Sequence, residues 1–130
     1  MCLRGASAVE TILQNHAHNS VAVFVVWEPI LPTDWSAPST NALQRLNDRR
    51  VRQFWDPNHI VATALKKTEE IGQLHPNCCE RKGFLWDLAA AYAPGTQWRE
   101  TLPQPVLFDG PVVRTTPELD SALAENKSTH

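Results

Sequence analysis

Apolar positions recur along this chain with two different periods, and the changes between them mark its elements. Val9, Ile12 and Leu13 stand at helical spacing among Glu10, Gln14 and Asn15. Ser7 followed three residues later by Glu10 forms a capping-box pattern, so the spacing predicts a helix over 7–16. Ala22-Val23-Phe24-Val25-Val26 is an unbroken, largely β-branched run. Such a run is the mark of a strand buried on both faces, as in the centre of an α/β sheet. Residues 28–35 read as a loop, because Pro29 and Pro32 deny regular hydrogen bonding. Pro38 then suits a first helical turn, and Ala42, Leu43 and Leu46 give an apolar stripe that runs to about Asp48. Val51 to Trp55 is a short strand stopped by Asp56-Pro57.

Asn58 is read as the cap of a third helix carrying Ile60, Val61, Ala64, Leu65 and Ile71, ended by Gly72. On its surface Lys66 and Glu70 stand at i, i+4. Phe84, Trp86 and Leu88 alternate with Leu85, Asp87 and Ala89, which favours a strand over about 83–92, although the following alanines also accept a helix. Pro105–Phe108 and Val112–Arg114 flank Asp109-Gly110, a strong local signal for a hairpin. Thr116-Pro117-Glu118 opens a last helix with Leu119 and Leu123 on its buried face, and a polar tail follows from Glu125. Phe24, Val25, Leu46, Phe54, Leu107 and Phe108 are the expected core. No internal repeat or low-complexity segment stands out.

Composition narrows the function classes. The 130 residues suit one domain, and 42% hydrophobic with 20% charged residues fits a soluble globular chain. A net charge of −2 gives no reason to expect nucleic-acid binding. Arg49, Arg50 and Arg52 form the densest basic cluster, whose ordinary roles are solvation or complementing a helix dipole. The longest apolar run, Val21 to Trp27, is far short of the roughly 20 residues of a membrane span. Met1 to Gly5 lacks the apolar stretch of a signal peptide, so a cytoplasmic location is expected. Three cysteines, two of them adjacent, do not make a disulfide framework.

The order of buried strand, Pro-rich loop, helix with an early Ala37-Pro38, and later Pro103-Gln104-Pro105-Val106-Leu107-Phe108 before a glycine turn resembles the thioredoxin-like superfamily. The likeness covers about residues 6–58 and 100–125. It implies a three-layer α/β sandwich: a central mixed sheet, helices on both faces, a first strand missing or short, and an insertion at about 75–102 before the C-terminal hairpin. Laid on that plan, Ile30 and Thr33 fall where the two reactive cysteines belong, and Phe24 falls where the family carries a buried carboxylate. The resemblance therefore implies a fold without its usual disulfide exchange, which requires a thiolate. It also places Pro103 where the family has a cis-proline beside the reactive loop. That edge takes extended peptides in the family, so Pro29, Ile30, Leu31, Pro32, Thr33, Trp35, Leu102 and Pro103 form the expected binding site for a protein or peptide.

Other residues carry competing chemistry. His75, Cys78 and Cys79 are an alternative redox or soft-metal site, since adjacent thiols can close a disulfide or hold a thiophilic ion. Against it stands the absence of any second cysteine pair. Cys2 lies beside Arg4 near the start of the chain, where an incidental thiol is the plainer reading. Glu28, Asp34 and Asp56 fall near the carboxy-terminal edge of the predicted sheet, where α/β proteins bind ligands, although solvated loop charges are the commoner use. His16 and His18 flank a helix end without ligand spacing to a third residue. The tryptophans read as core or loop anchors, and Trp35 and Trp98, if exposed together, as a partner surface. The expectation is a non-catalytic binding domain with no cofactor. The aromatic insertion packs on its own sheet or forms a homodimer seam. The alternative is a thiol-dependent redox or soft-metal-responsive protein.

Overall fold

The computed structural model of the chain describes residues 3–31, 36–76, 78–81 and 84–127. Among the described residues it is a mixed α/β structure of four helices and six strands. The first half runs α1 (Leu3–Asn15), β1 (Val23–Trp27), α2 (Thr40–Leu43), β2 (Val51–Trp55) and α3 (Ile60–Ile71). That order is the expected one. The second half runs β3 (Glu80–Arg81), β4 (Phe84–Leu85), β5 (Ala89–Ala91), β6 (Leu107–Asp109) and α4 (Val112–Lys127).

β1 and β2 pair in parallel, Val23 opposite Val51 through to Trp27 opposite Trp55. Successive strand side chains point to opposite faces, so five residues on each strand divide into two sets. On the inner face Leu13, Trp27 and Leu46 are buried with Ala6, and Val9, Val23, Val25, Leu43, Val51 and Trp55 pack against them. Gln53 is the one amide on this face. Its Nε2 donates to the Leu43 and Leu46 carbonyls at 2.9 and 3.2 Å, and its Oε1 accepts from Trp27 Nε1 at 2.8 Å. Those carbonyls belong to the stretch where a longer α2 was expected. The helix stops after four residues, with Ser39 at its cap, so Pro38 lies before the helix rather than in its first turn.

α1 begins at Leu3, ahead of the expected start at Ser7. Ser7 and Glu10 therefore lie inside the helix and do not form a capping box. The Ser7 hydroxyl accepts from Arg45 Nη1, and Glu10 Oε2 accepts from the Asn47 N–H. Arg50 closes the far end. Its guanidinium donates to the Leu13, His16 and Asn19 carbonyls at 2.7–3.0 Å and grips both oxygens of Asp48. A cation at a helix C-terminus satisfies orphan carbonyls and opposes the helix dipole. Arg49 and Arg52 are exposed.

The outer face corrects the expected core. Phe24 is 63% and Phe54 50% exposed, their ring centroids 6.3 Å apart. Leu46 and Phe108 are buried as expected, and Val25 packs on the inner cluster. The unbroken apolar run of β1 thus has one covered face, not two.

The insertion also differs from expectation. In place of one strand over 83–92 there are two short ones, separated by a bend at Asp87, whose φ is +51°. Leu85 is the buried residue there, while Phe84, Trp86 and Leu88 are half-buried. The Asp109-Gly110 hairpin does not form. β6 pairs antiparallel with β5, Ala90 opposite Phe108, and Val112 already starts α4. Pro117 lies inside that helix. Lacking an N–H, it leaves the Val113 carbonyl without its usual donor, and the Thr116 hydroxyl supplies one at 3.1 Å. α4 packs on β5, β6 and α1, where His16 Nε2 lies 2.8 Å from Asp120 Oδ1. Among the described residues the strands form three two-stranded pairs. No helix among them is long and apolar enough to cross a membrane.

Candidate functional site

Parallel register brings the ends of β1 and β2 to one level. Trp27 faces Trp55, and the Asp56 N–H donates to the Trp27 carbonyl at 2.7 Å. The next side chains, Glu28 and Asp56, therefore emerge together at the carboxy-terminal edge of the pair. Solvation was the ordinary expectation for both, and neither is solvated. Asp56 is buried and its two oxygens accept from the Ile60 and Val61 N–H groups at 3.0 and 2.8 Å. Its carboxylate thereby satisfies the first N–H groups of α3, whose N-cap position is held by His59 and not by Asn58 as read from sequence.

Glu28 takes a different partner. Its Oε2 lies 3.1 Å from His59 Nδ1, with both side chains largely covered. His59 has a φ of +55°, uncommon for a residue with a Cβ, and its ring stacks on Phe84 at a centroid distance of 3.8 Å. Burial pushes the Glu28 carboxyl above its ordinary range. The hydrogen bond and charge of His59 oppose that shift, and Asp56 adds to it. The result is an imidazole fixed in plane by a stacked ring and oriented through Nδ1 by a carboxylate. Such a pair can hold or pass a proton at the edge where α/β folds carry ligands.

His59 was missed by the reading of the sequence. A signal for the site does exist: both strands end in Trp, an acid and Pro, as Trp27-Glu28-Pro29 and Trp55-Asp56-Pro57. Aligning the two triplets gives the register, and with it the pairing of the two carboxylates.

The residues expected to bind a peptide divide between two places. Pro29 and Ile30 are half-buried and Leu31 is exposed, just beyond Glu28 at the first end of α3. Pro32, Thr33, Asp34 and Trp35 lie outside the described residues, as does Cys2. Leu102 and Pro103 are half-buried, and the next residue, Gln104, lies against Gly72 at the last end of α3. A helix of 12 residues is about 18 Å long, so the two segments are anchored at its opposite ends. Leu102–Pro103 is trans, whereas Gly110–Pro111 is cis.

Cys78 and Cys79 are joined by a disulfide. His75 turns to Glu69 on α3, at 3.3 Å. Glu69 also receives Lys66, which bridges to Glu80 rather than pairing with Glu70. Among the described residues no three His, Cys, Asp or Glu side chains converge as a metal site. Two open grooves, of about 420 and 410 Å³, flank α4 and not the end of β1. Compared with models of protein families, with curated proteins and with solved structures, the chain shows no match.

Proposed function

We propose that the chain is a non-catalytic, thioredoxin-like domain that binds an apolar protein or peptide segment at the β1–β2 surface, from its outer face to the Pro29–Leu31 edge. The observation that carries this reading is the open pair Phe24 and Phe54, with Leu31 exposed beyond the end of β1. Two phenylalanines side by side on an uncovered sheet face are costly in water, at roughly 25 cal/mol per Å² of apolar surface. The helix–strand–helix–strand–helix order with a parallel β1–β2 pair supports the thioredoxin-like frame. Ile30, at the position of a reactive cysteine in that frame, offers no nucleophile.

A displayed library of random peptides, selected on the folded chain and counter-selected on Phe24→Ser/Phe54→Ser, tests the reading. Enrichment of apolar sequences that the double variant releases is the expected result. Equal retention by both chains would overturn it. Sedimentation of the same two chains at micromolar concentration reports whether a second copy uses this surface.

A further inference from the structure

Cys78 and Cys79 sit where three parts of the second half meet, and none of their surroundings is used by the proposed peptide surface. Cys79 immediately precedes β3, and its carbonyl accepts from the Trp86 N–H at 3.0 Å, which continues the β3–β4 pairing. Its φ is +140°, a backbone region that residues with a Cβ rarely adopt. Cys78 Sγ lies 3.4 Å from where a Cβ on Gly110 would stand, and the same point is 2.6 Å from the Asp87 carbonyl and 2.5 Å from Leu88 Cδ2. Asp87 Oδ1 in turn accepts from the Val112 N–H at the start of α4. Both cysteines are half-buried.

We propose that Cys78 and Cys79 form a reversible dithiol–disulfide couple whose oxidised state holds β4, and through Phe84 the ring of His59, in place. In the reductive direction a thiolate of a small dithiol attacks one of the two sulfurs. The Cys78–Cys79 bond breaks, a mixed disulfide forms, and the second cysteine leaves as a thiolate that takes up a proton. The reagent's other thiol then displaces the first cysteine. Two electrons and two protons pass to the protein, and the reagent departs as a cyclic disulfide. A small disulfide drives the reverse. Reduction removes the tether that keeps Cys79 at positive φ. Its carbonyl is then free to leave the Trp86 N–H, and the β3–β4 pair loosens under Phe84.

The test uses the whole chain with dithiothreitol and oxidised glutathione as probes. After incubation with oxidised glutathione and removal of the reagent, mass spectrometry is expected to find no glutathione on Cys78 or Cys79, an adduct there overturning the couple, and thiol titration of the unfolded chain is expected to find neither of them reactive. After dithiothreitol the titration should find both reactive. Amide exchange at Trp86 in the folded chain should quicken by about tenfold or more on reduction, as expected when a local hydrogen bond opens. Cys78→Ser should exchange at the fast rate with or without reductant, while its far-ultraviolet circular dichroism matches that of the parent. Cys78 and Cys79 still reactive after oxidised glutathione would overturn the couple. Equal Trp86 exchange in the two states would overturn its hold on β4.

Discussion

Both faces of the β1–β2 pair are largely apolar, and they meet opposite fates. Inward, Val23, Val25, Trp27, Val51 and Trp55 lie under α1 and the α2 segment, with Gln53 bonded to Trp27 and to two carbonyls. Outward, Phe24, Val26 and Phe54 stand beside the charged Arg52, and the two rings are half or more exposed. The difference lies in what surrounds each face, not in the strand residues. On the inner side α1 reaches back across the ladder and is fastened there by Arg50. α3, although it follows β2 in sequence, packs on β4. Hydrophobic composition states how much surface a strand would bury; the connections decide which part of it is covered.

The largest expected effect breaks the inner face. Trp27→Ala should cost about 3–5 kcal/mol, since it opens a cavity and strands Gln53 Oε1. Chemical denaturation measures this directly, and a cost below about 1 kcal/mol would mean that the inner face is not the core.

A smaller loss comes with acid. Arg50 holds the Asp48 carboxyl down to about 2, against an ordinary 3.8. A depressed carboxyl contributes stability that is fully present above its unfolded value and is lost as pH falls through the folded one. The inner face should therefore lose on the order of 1–2 kcal/mol between about pH 4 and pH 2. Asp48→Asn should remove that part of the acid dependence, as seen in denaturation midpoints across the pH range.

The outer face supplies the smallest effect and the sharpest contrast. Phe24→Ala or Phe54→Ala alone should change stability by less than about 1 kcal/mol, because each ring already meets water. Thermal melts compared with Trp27→Ala would show the asymmetry. A loss at Phe24 equal to that at Trp27 would mean that the outer face is covered in solution.

Much of the first half was legible in the sequence. β1 announces itself by a β-branched run, both strands by the acid–Pro steps that close them, and α3 by its periodicity and Gly72. What escaped was set by distant partners. The Asp109-Gly110 turn signal is local, but the partner of β6 is β5, some eighteen residues back, and Asp87 reaches forward to cap α4. The positive φ at Asp87, where the expected strand divides in two, is a feature that alternation alone does not reveal. His59 gains its role because Glu28, thirty-one residues earlier, follows a strand in parallel register with the one that leads to His59. The expected burial of Phe24 failed for a related reason: a continuous apolar run does not say whether a helix arrives on its second side.

The seating of α4 on α1 has a consequence for the order in which the chain can mature. Asn19 donates to the Leu123 carbonyl and His16 meets Asp120, contacts that each span 104 residues. A ribosome releases the first helix and both parallel strands long before the last helix exists. During that interval Ile12, buried in the finished protein, has no cover from α4. Closure over so great a separation is entropically late and slow compared with the local pairing of β1 with β2. The nascent chain therefore carries a temporary apolar stripe on α1 until α4 emerges and covers it.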